Sequence, residues 1–185
     1  MSTTTVKQTI GEKMACEIEE ARQACIKDIQ QNGGFPPLMV FYDDKGQGHL
    51  GPVEIDMFLE KPAMKSVFIA MMKSFIRFVK EQDGTNLVKS VIFQNVYYVS
   101  GARKDGIENS EDYLKKHGSV SKDPESEQGV MVLTETAEEL SYKVYHAVYD
   151  KEETTGVVSE EPVQDHTFKK GDKDTMESWM IGIFD

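Results

Sequence analysis

Residues 61 to 100 constrain the fold more than any other stretch: KPAMKSVFIAMMKSFIRFVKEQDGTNLVKSVIFQNVYYVS. Met64, Val67, Phe68, Met71, Met72, Phe75, Phe78 and Val79 recur at helical spacing. That period predicts a long amphipathic helix whose apolar face is much wider than a coiled-coil seam. Pro62 suits its first turn, where a missing N–H is no loss. Asp83 and Gly84 supply turn chemistry where the pattern stops. Residues 88 to 99 then carry apolar side chains on both alternating sets, Val91, Phe93, Tyr97 and Val99 against Ile92, Val96 and Tyr98. A strand written this way has both faces covered or half covered, which makes it a central strand.

The flanking segments supply partners for that pair. From residue 6 to residue 31, Ile10, Met14, Ile18, Ala21, Cys25 and Ile29 form a narrow apolar stripe, and a second helix follows from it. Asn32, Gly33 and Gly34 end that helix, and Pro36 and Pro37 keep it from resuming. Residues 38 to 42 read as a short buried strand, residues 43 to 48 as a turn, and residues 49 to 57 as the returning strand of a hairpin. Two further strands are expected at 129 to 135 and 141 to 150. The whole predicts an α+β fold: an antiparallel or mixed sheet of about five to six strands packed against two main helices, both expected on one face. Residues 1–150 are expected to form a single domain in which 101–128 is a long polar loop. Residues 151–178 read as an acidic flexible tail, and 179–185 as a terminal strand docking on the sheet edge.

At 185 residues the chain is long enough to bury a core without staples. Its formal net charge is −11, which argues against direct nucleic-acid binding, where a basic footprint must neutralise phosphates. Residues 150 to 185 hold 10 acidic and 4 basic side chains, a net −6 and over half of that excess. The two cysteines, Cys16 and Cys25, lie on one predicted helix, pointing to opposite sides and roughly 13 Å apart along its axis. That is beyond disulfide reach, so they are expected as free thiols, which suits a reducing cytoplasm. Residues 1 to 10 lack an apolar targeting core, and no stretch is apolar enough to span a membrane.

Candidate sites are few. Residues 43 to 54 place Asp43, Gly48 and Glu54 as a calcium loop would, but Lys45 and Gln47 stand where ligands belong and the preceding run is a strand. Gly46, Gly48 and Gly51 give G-x-G-x-x-G inside a hairpin that leads to no helix. His49, His117, His146 and His166 are too scattered for a zinc signature, so no metal and no cofactor is expected. No catalytic motif is present. The best interaction candidate is a basic ridge, Lys61, Lys65, Lys73 and Arg77, within residues 57 to 82 where 5 basic and 2 acidic side chains give a net +3. Arg103, just beyond the central strand, is a candidate for holding an anion. His146, on the apolar face of a strand, is the first candidate for a perturbed titratable group.

These observations favour an intracellular interaction or regulatory protein that binds a protein partner or self-associates through a helix face or strand edge. A rival reading is a small enzyme or ligand-binding protein whose site assembles from His146, Tyr98, Arg103 and Glu135. A third is an acidic decoy of a nucleic-acid-binding surface. A pocket joining the four residues favours the second reading, and a flat apolar patch over a helix favours the first.

Overall fold

The computed structural model of the chain describes residues 8–51, 64–99, 115–150, 152, 154–170 and 182–184. The elements run α1 (Ile10–Asn32), β1 (Leu38–Asp43), β2 (Gly48–Leu50), α2 (Lys65–Asp83), β3 (Leu87–Tyr98), β4 (Glu127–Thr136), β5 (Glu139–Tyr149), β6 (Gly156–Val158) and β7 (Gln164–Lys169). The strands form one antiparallel sheet in the order β2-β1-β3-β4-β5-β6, with β7 on β5 beyond β6. The α+β expectation holds, with an antiparallel sheet. The 87–98 strand is central, as its two-sided apolar pattern requires.

Each helix is bounded by identifiable chemistry. Thr9 caps α1 in a reciprocal box: its Oγ1 accepts the Glu12 N–H at 3.2 Å, and its own N–H donates to Glu12 Oε2 at 2.8 Å, which satisfies two otherwise orphaned donors. Gly33 closes the other end at φ 73°, and Gly84 closes α2 at φ 74°, both in the left-handed conformation that glycine adopts without strain. At the β1–β2 turn, Asp43 Oδ1 accepts the N–H groups of Lys45 and Gln47, each at 2.9 Å.

The helices take opposite faces of the sheet, which corrects the expectation of both on one. Phe68 and Met72 of α2 pack with Met39, Phe41, Ile92, Leu133 and Leu140. Met14, Cys25 and Ile29 of α1 pack with Val40, Tyr42, Val91, Phe93, Val130 and Val132. Consecutive strand residues point to opposite faces, so Val91 and Phe93 meet α1 while Ile92 between them meets α2. A strand apolar on both sets has to be covered twice, and one helix layer covers one face.

The C-terminal third departs from expectation more. Residues 156–158 and 164–169 lie within the expected flexible tail, yet they pair with β5 in register from Ala147↔Val158 and Glu139↔Lys169. The β5 edge needed hydrogen-bond partners, and β7 turns acidic and polar side chains outward while bonding through its backbone. Gly156 has no room for a side chain, since a Cβ there would lie 2.7 Å from Ile29 Cγ2 of α1. Residues 182–184 form a turn where a terminal strand was expected, and Ile183 is buried in the α2-side core. The expected 49–57 strand is seen as β2 at Gly48–Leu50, and 52–57 lie outside the described residues. Of the 101–128 loop, 101–114 lie outside them too, while Val120–Lys122 is a 3-10 turn and β4 already begins at Glu127.

Candidate functional site

The wide apolar face of α2 divides in two. Phe68 and Met72 are buried, and Phe75, Ile76 and Val79 pack partly against the same core. Val67, Met71 and Phe78 instead remain 43, 40 and 58% exposed. These three follow steps of four and seven, so they form a stripe along the flank of the helix. With Ser66, Ala70 and Ser74, Val67 and Met71 line an open depression of about 550 Å³. Small residues there leave the helix backbone approachable, and large ones rise at both ends. An apolar patch of this kind on a helix marks an interaction surface more often than a scattered exposed leucine does.

The basic ridge runs along the other flank of α2: at about 100° per residue, Arg77, Lys73 and Lys80 stand roughly 100–160° around the axis from the stripe. Arg77 is exposed and Lys73 half-buried, and Lys80 extends the ridge by another turn. None of the three pairs with a carboxylate among the described residues. Lys61 and the side chain of Lys65 lie outside the described residues. The outer face of α2 is therefore apolar along one edge and positive along the other, with Ala70, Ser74 and Glu81 between.

His146 finds Tyr98 on the same face of the sheet as α2. The register Val96↔Gly129↔His146 puts Gly129 between β3 and β5. A Cβ on Gly129 would stand 3.0 Å from Tyr98 Cε1, so the missing side chain is what lets the ring cross β4. Tyr98 Oη and His146 Nδ1 are 2.7 Å apart, and Glu127 Oε2 is 3.7 Å from the same nitrogen. Burial pushes the Tyr98 phenol up, and the hydrogen bond to Glu127 and that residue's charge push it further. A phenol has one proton to give. It stands between the Glu127 carboxylate and His146 Nδ1, and the imidazole tautomer sets which of the two accepts it.

The other members expected beside His146 are elsewhere. Arg103 lies outside the described residues. Glu135 is eight residues along β4 from Glu127, or roughly 26 Å at the usual strand rise. It is buried, accepting from Lys170 Nζ at 2.7 Å and from the Gly182 N–H at 2.9 Å, which ties residues 182–184 to the sheet. Three concavities bounded by described residues are lined by neither His146 nor Glu135.

The calcium-like loop is a structural turn. Burial works against the Asp43 carboxylate, yet the Gln47 N–H, the His49 ring and the Lys45 N–H hold it below its ordinary range. Its second oxygen faces His49 Nε2 at 3.2 Å. Among the described residues no group of three His, Cys, Asp or Glu side chains could hold a metal, and no helix is long and apolar enough to cross a membrane. No family model, curated protein or solved structure matches the chain.

Sequence reasoning found the α2 ridge and named His146 with Tyr98. It missed the exposed stripe, although the excess width of the apolar face was its signal. It also missed Gly129, whose place between two bulky strands can be recognised only once the register is known.

Proposed function

We propose that this protein is an interaction module that docks a partner on the outer flank of α2. The observation that carries the reading is the stripe Val67, Met71 and Phe78, apolar surface that the core does not use. Lys73, Arg77 and Lys80, along the other edge of the outer face of α2, favour an acidic partner surface, because complementary charge speeds encounter and fixes orientation. A reducing, cytoplasmic setting fits the free thiols, Cys16 exposed and Cys25 buried. The net charge of −11 disfavours direct contact with nucleic acid.

Phe78→Ser combined with Lys73→Glu and Arg77→Glu is expected to leave the melting temperature within a few degrees of the parent protein, since Phe78 and Arg77 are exposed, Lys73 is half-buried, and substitutions outside the core shift stability by about 0.5 kcal/mol or less each. The same variant loses the stoichiometric partner retained by the immobilised parent protein, while a variant altered at Gln23 and Lys27 of α1 keeps it. Equal retention by the two variants excludes α2 as the docking surface.

The enzyme reading keeps one observation in its favour, the 2.7 Å contact that orients His146. It predicts that a small ligand perturbs the His146 ring resonances in a titration, and that Tyr98→Phe abolishes the response.

A further inference from the structure

The opposite face of the molecule carries a surface complementary to the flank of α2. Between α1 and the β1–β2 edge lies a groove of about 440 Å³ lined by Glu17, Glu20, Ala21, Leu38, Val40, Tyr42, Gly48 and Leu50. Its floor is apolar, and Leu50 is largely exposed. Its rim is acidic. Glu17 leans over the floor, close enough that a Cβ on Gly48 would lie 3.2 Å from its Oε2. Its contact with Lys13 is long, 3.9 Å between an exposed and a half-buried side chain, and such pairs contribute little. Among the described residues Glu20 accepts from the Cys16 thiol alone, at 3.6 Å. Beyond β1, strand β2 pairs with nothing among the described residues.

The geometry points to a second copy of this chain as the partner: Phe78 of one copy seats in the α1–β2 groove of the next, with Lys73 and Arg77 against Glu17 and Glu20. The inference rests on the docking role proposed for α2 and names its partner. Three features argue for it. Cations four residues apart on α2 meet carboxylates three residues apart on α1, and both spacings place side chains about 5–6 Å apart on one helix face. The groove presents an apolar floor to an aromatic ring that otherwise stays in water, and burying a ring of that size removes roughly 150–250 Å² of surface. The two surfaces bear opposite charge, whereas an α2–α2 pairing would set Lys73 and Arg77 of one copy against their own counterparts. Glu81 beside Phe78 reduces the positive excess of α2 without cancelling it. The negative field at the groove is also felt by its own residues: burial and then Glu17 push the Tyr42 phenol up to about 12, and Glu20 and Glu17 raise the Cys16 thiol.

Because α2 and the groove occupy opposite faces of the sheet, the contact is head-to-tail. Such an interface adds copies until a ring closes or a chain extends.

Sedimentation velocity on two variants tests this, one carrying Lys73→Glu and Arg77→Glu, the other Glu17→Lys and Glu20→Lys. The parent protein is expected to associate with rising concentration, and to do so roughly tenfold more weakly at high salt. Each variant alone stays monomeric. Mixed, they associate again, because the intact α2 of one meets the intact groove of the other and the two reversed surfaces also attract. The uncharged pair Phe78→Ser and Leu50→Ser, with melting curves matching the parent, is expected to stop at a 1:1 complex when mixed, because only one intact α2 and one intact groove remain. A parent protein that is monomeric at every concentration overturns the inference, even if α2 still captures a foreign partner and the docking role stands. Association lost on changing α2 but untouched on changing the groove overturns it too, and identifies an α2–α2 contact instead.

Discussion

On α1 the large apolar side chains are nearly all committed to the core: Met14, Ile26 and Ile29 are buried, Ile18 is half-buried and Ile10 is exposed. On α2, Phe68 and Met72 are buried just as deeply, but Val67, Met71 and Phe78 are left facing outward. The helices also differ in charge and in how they begin. α1 starts with a capping box and presents Glu17, Glu19 and Glu20, while α2 has no side-chain cap and presents Lys73, Arg77 and Lys80. Equal burial can therefore coexist with unequal use. One helix is specified by what it packs against. The other carries more apolar surface than its own sheet can cover.

That contrast is open to mutation. The largest effect is expected inside the α2 layer, where Phe68→Ala costs about 3–5 kcal/mol by leaving a cavity. Phe78→Ala, ten residues later on the same helix, should fall within about 0.5 kcal/mol of the parent in urea unfolding. Similar losses for the two would mean that Phe78 is covered and that the stripe is core. Next comes the tie that holds residues 182–184 on the α2 side. Glu135→Ala should cost about 3–5 kcal/mol, because it removes a buried carboxylate that accepts from both Lys170 and the Gly182 N–H; a loss under about 1 kcal/mol would make that contact no stronger than a surface pair.

On the α1 side the expected effects are smaller. Gly156→Ala drives a methyl into Ile29 and should cost about 1–3 kcal/mol, read as a lower urea midpoint with the slope unchanged. Thr9→Ala should cost about 0.5–2 kcal/mol through loss of the cap. The cap also has a pH signature. The N–H and hydroxyl of Thr9 hold the Glu12 carboxyl below its ordinary 4.5, so its contribution is present above that pH and fades as pH falls through the lowered value. Thermal melts from pH 6 down to 2 should show the parent losing its advantage over Glu12→Gln, which carries no charge at any pH; a constant gap would remove the Glu12 charge from the cap.

Much of the architecture is legible in the chain because periodicity reports burial. The two helices, the β1 and β3 strands and the Gly33 and Gly84 stops all follow from local pattern and turn chemistry. The placement of the helices follows as well, once the two-sided pattern of β3 is taken at its word: Ile92 and Val91 cannot both be covered from one side. The β6 and β7 strands are not legible, because an edge strand is held by its backbone, and QDHTFK carries few apolar side chains to announce it. The docking surface is half legible. Composition marks Lys73 and Arg77 as a positive ridge in an acidic protein, but which apolar residues of α2 stay outside depends on how the helix is rotated on the sheet. Tyr98 and His146 meet for a similar reason, through a register that sets Gly129 between them.

The most direct test of the docking role uses adjacent methionines on α2. Met71 is exposed and Met72 fully buried, so peroxide oxidation followed by mass spectrometry compares the outer flank with the core in one peptide. In dilute purified protein Met71 should oxidise nearly as fast as an added methionine peptide, and Met72 far more slowly. In concentrated protein or cell extract, with rates again scaled to the added peptide, the account predicts that Met71 becomes protected while Met72 does not change. A Met71 that oxidises equally fast under all three conditions would show a flank that stays bare, and would contradict the docking role of α2.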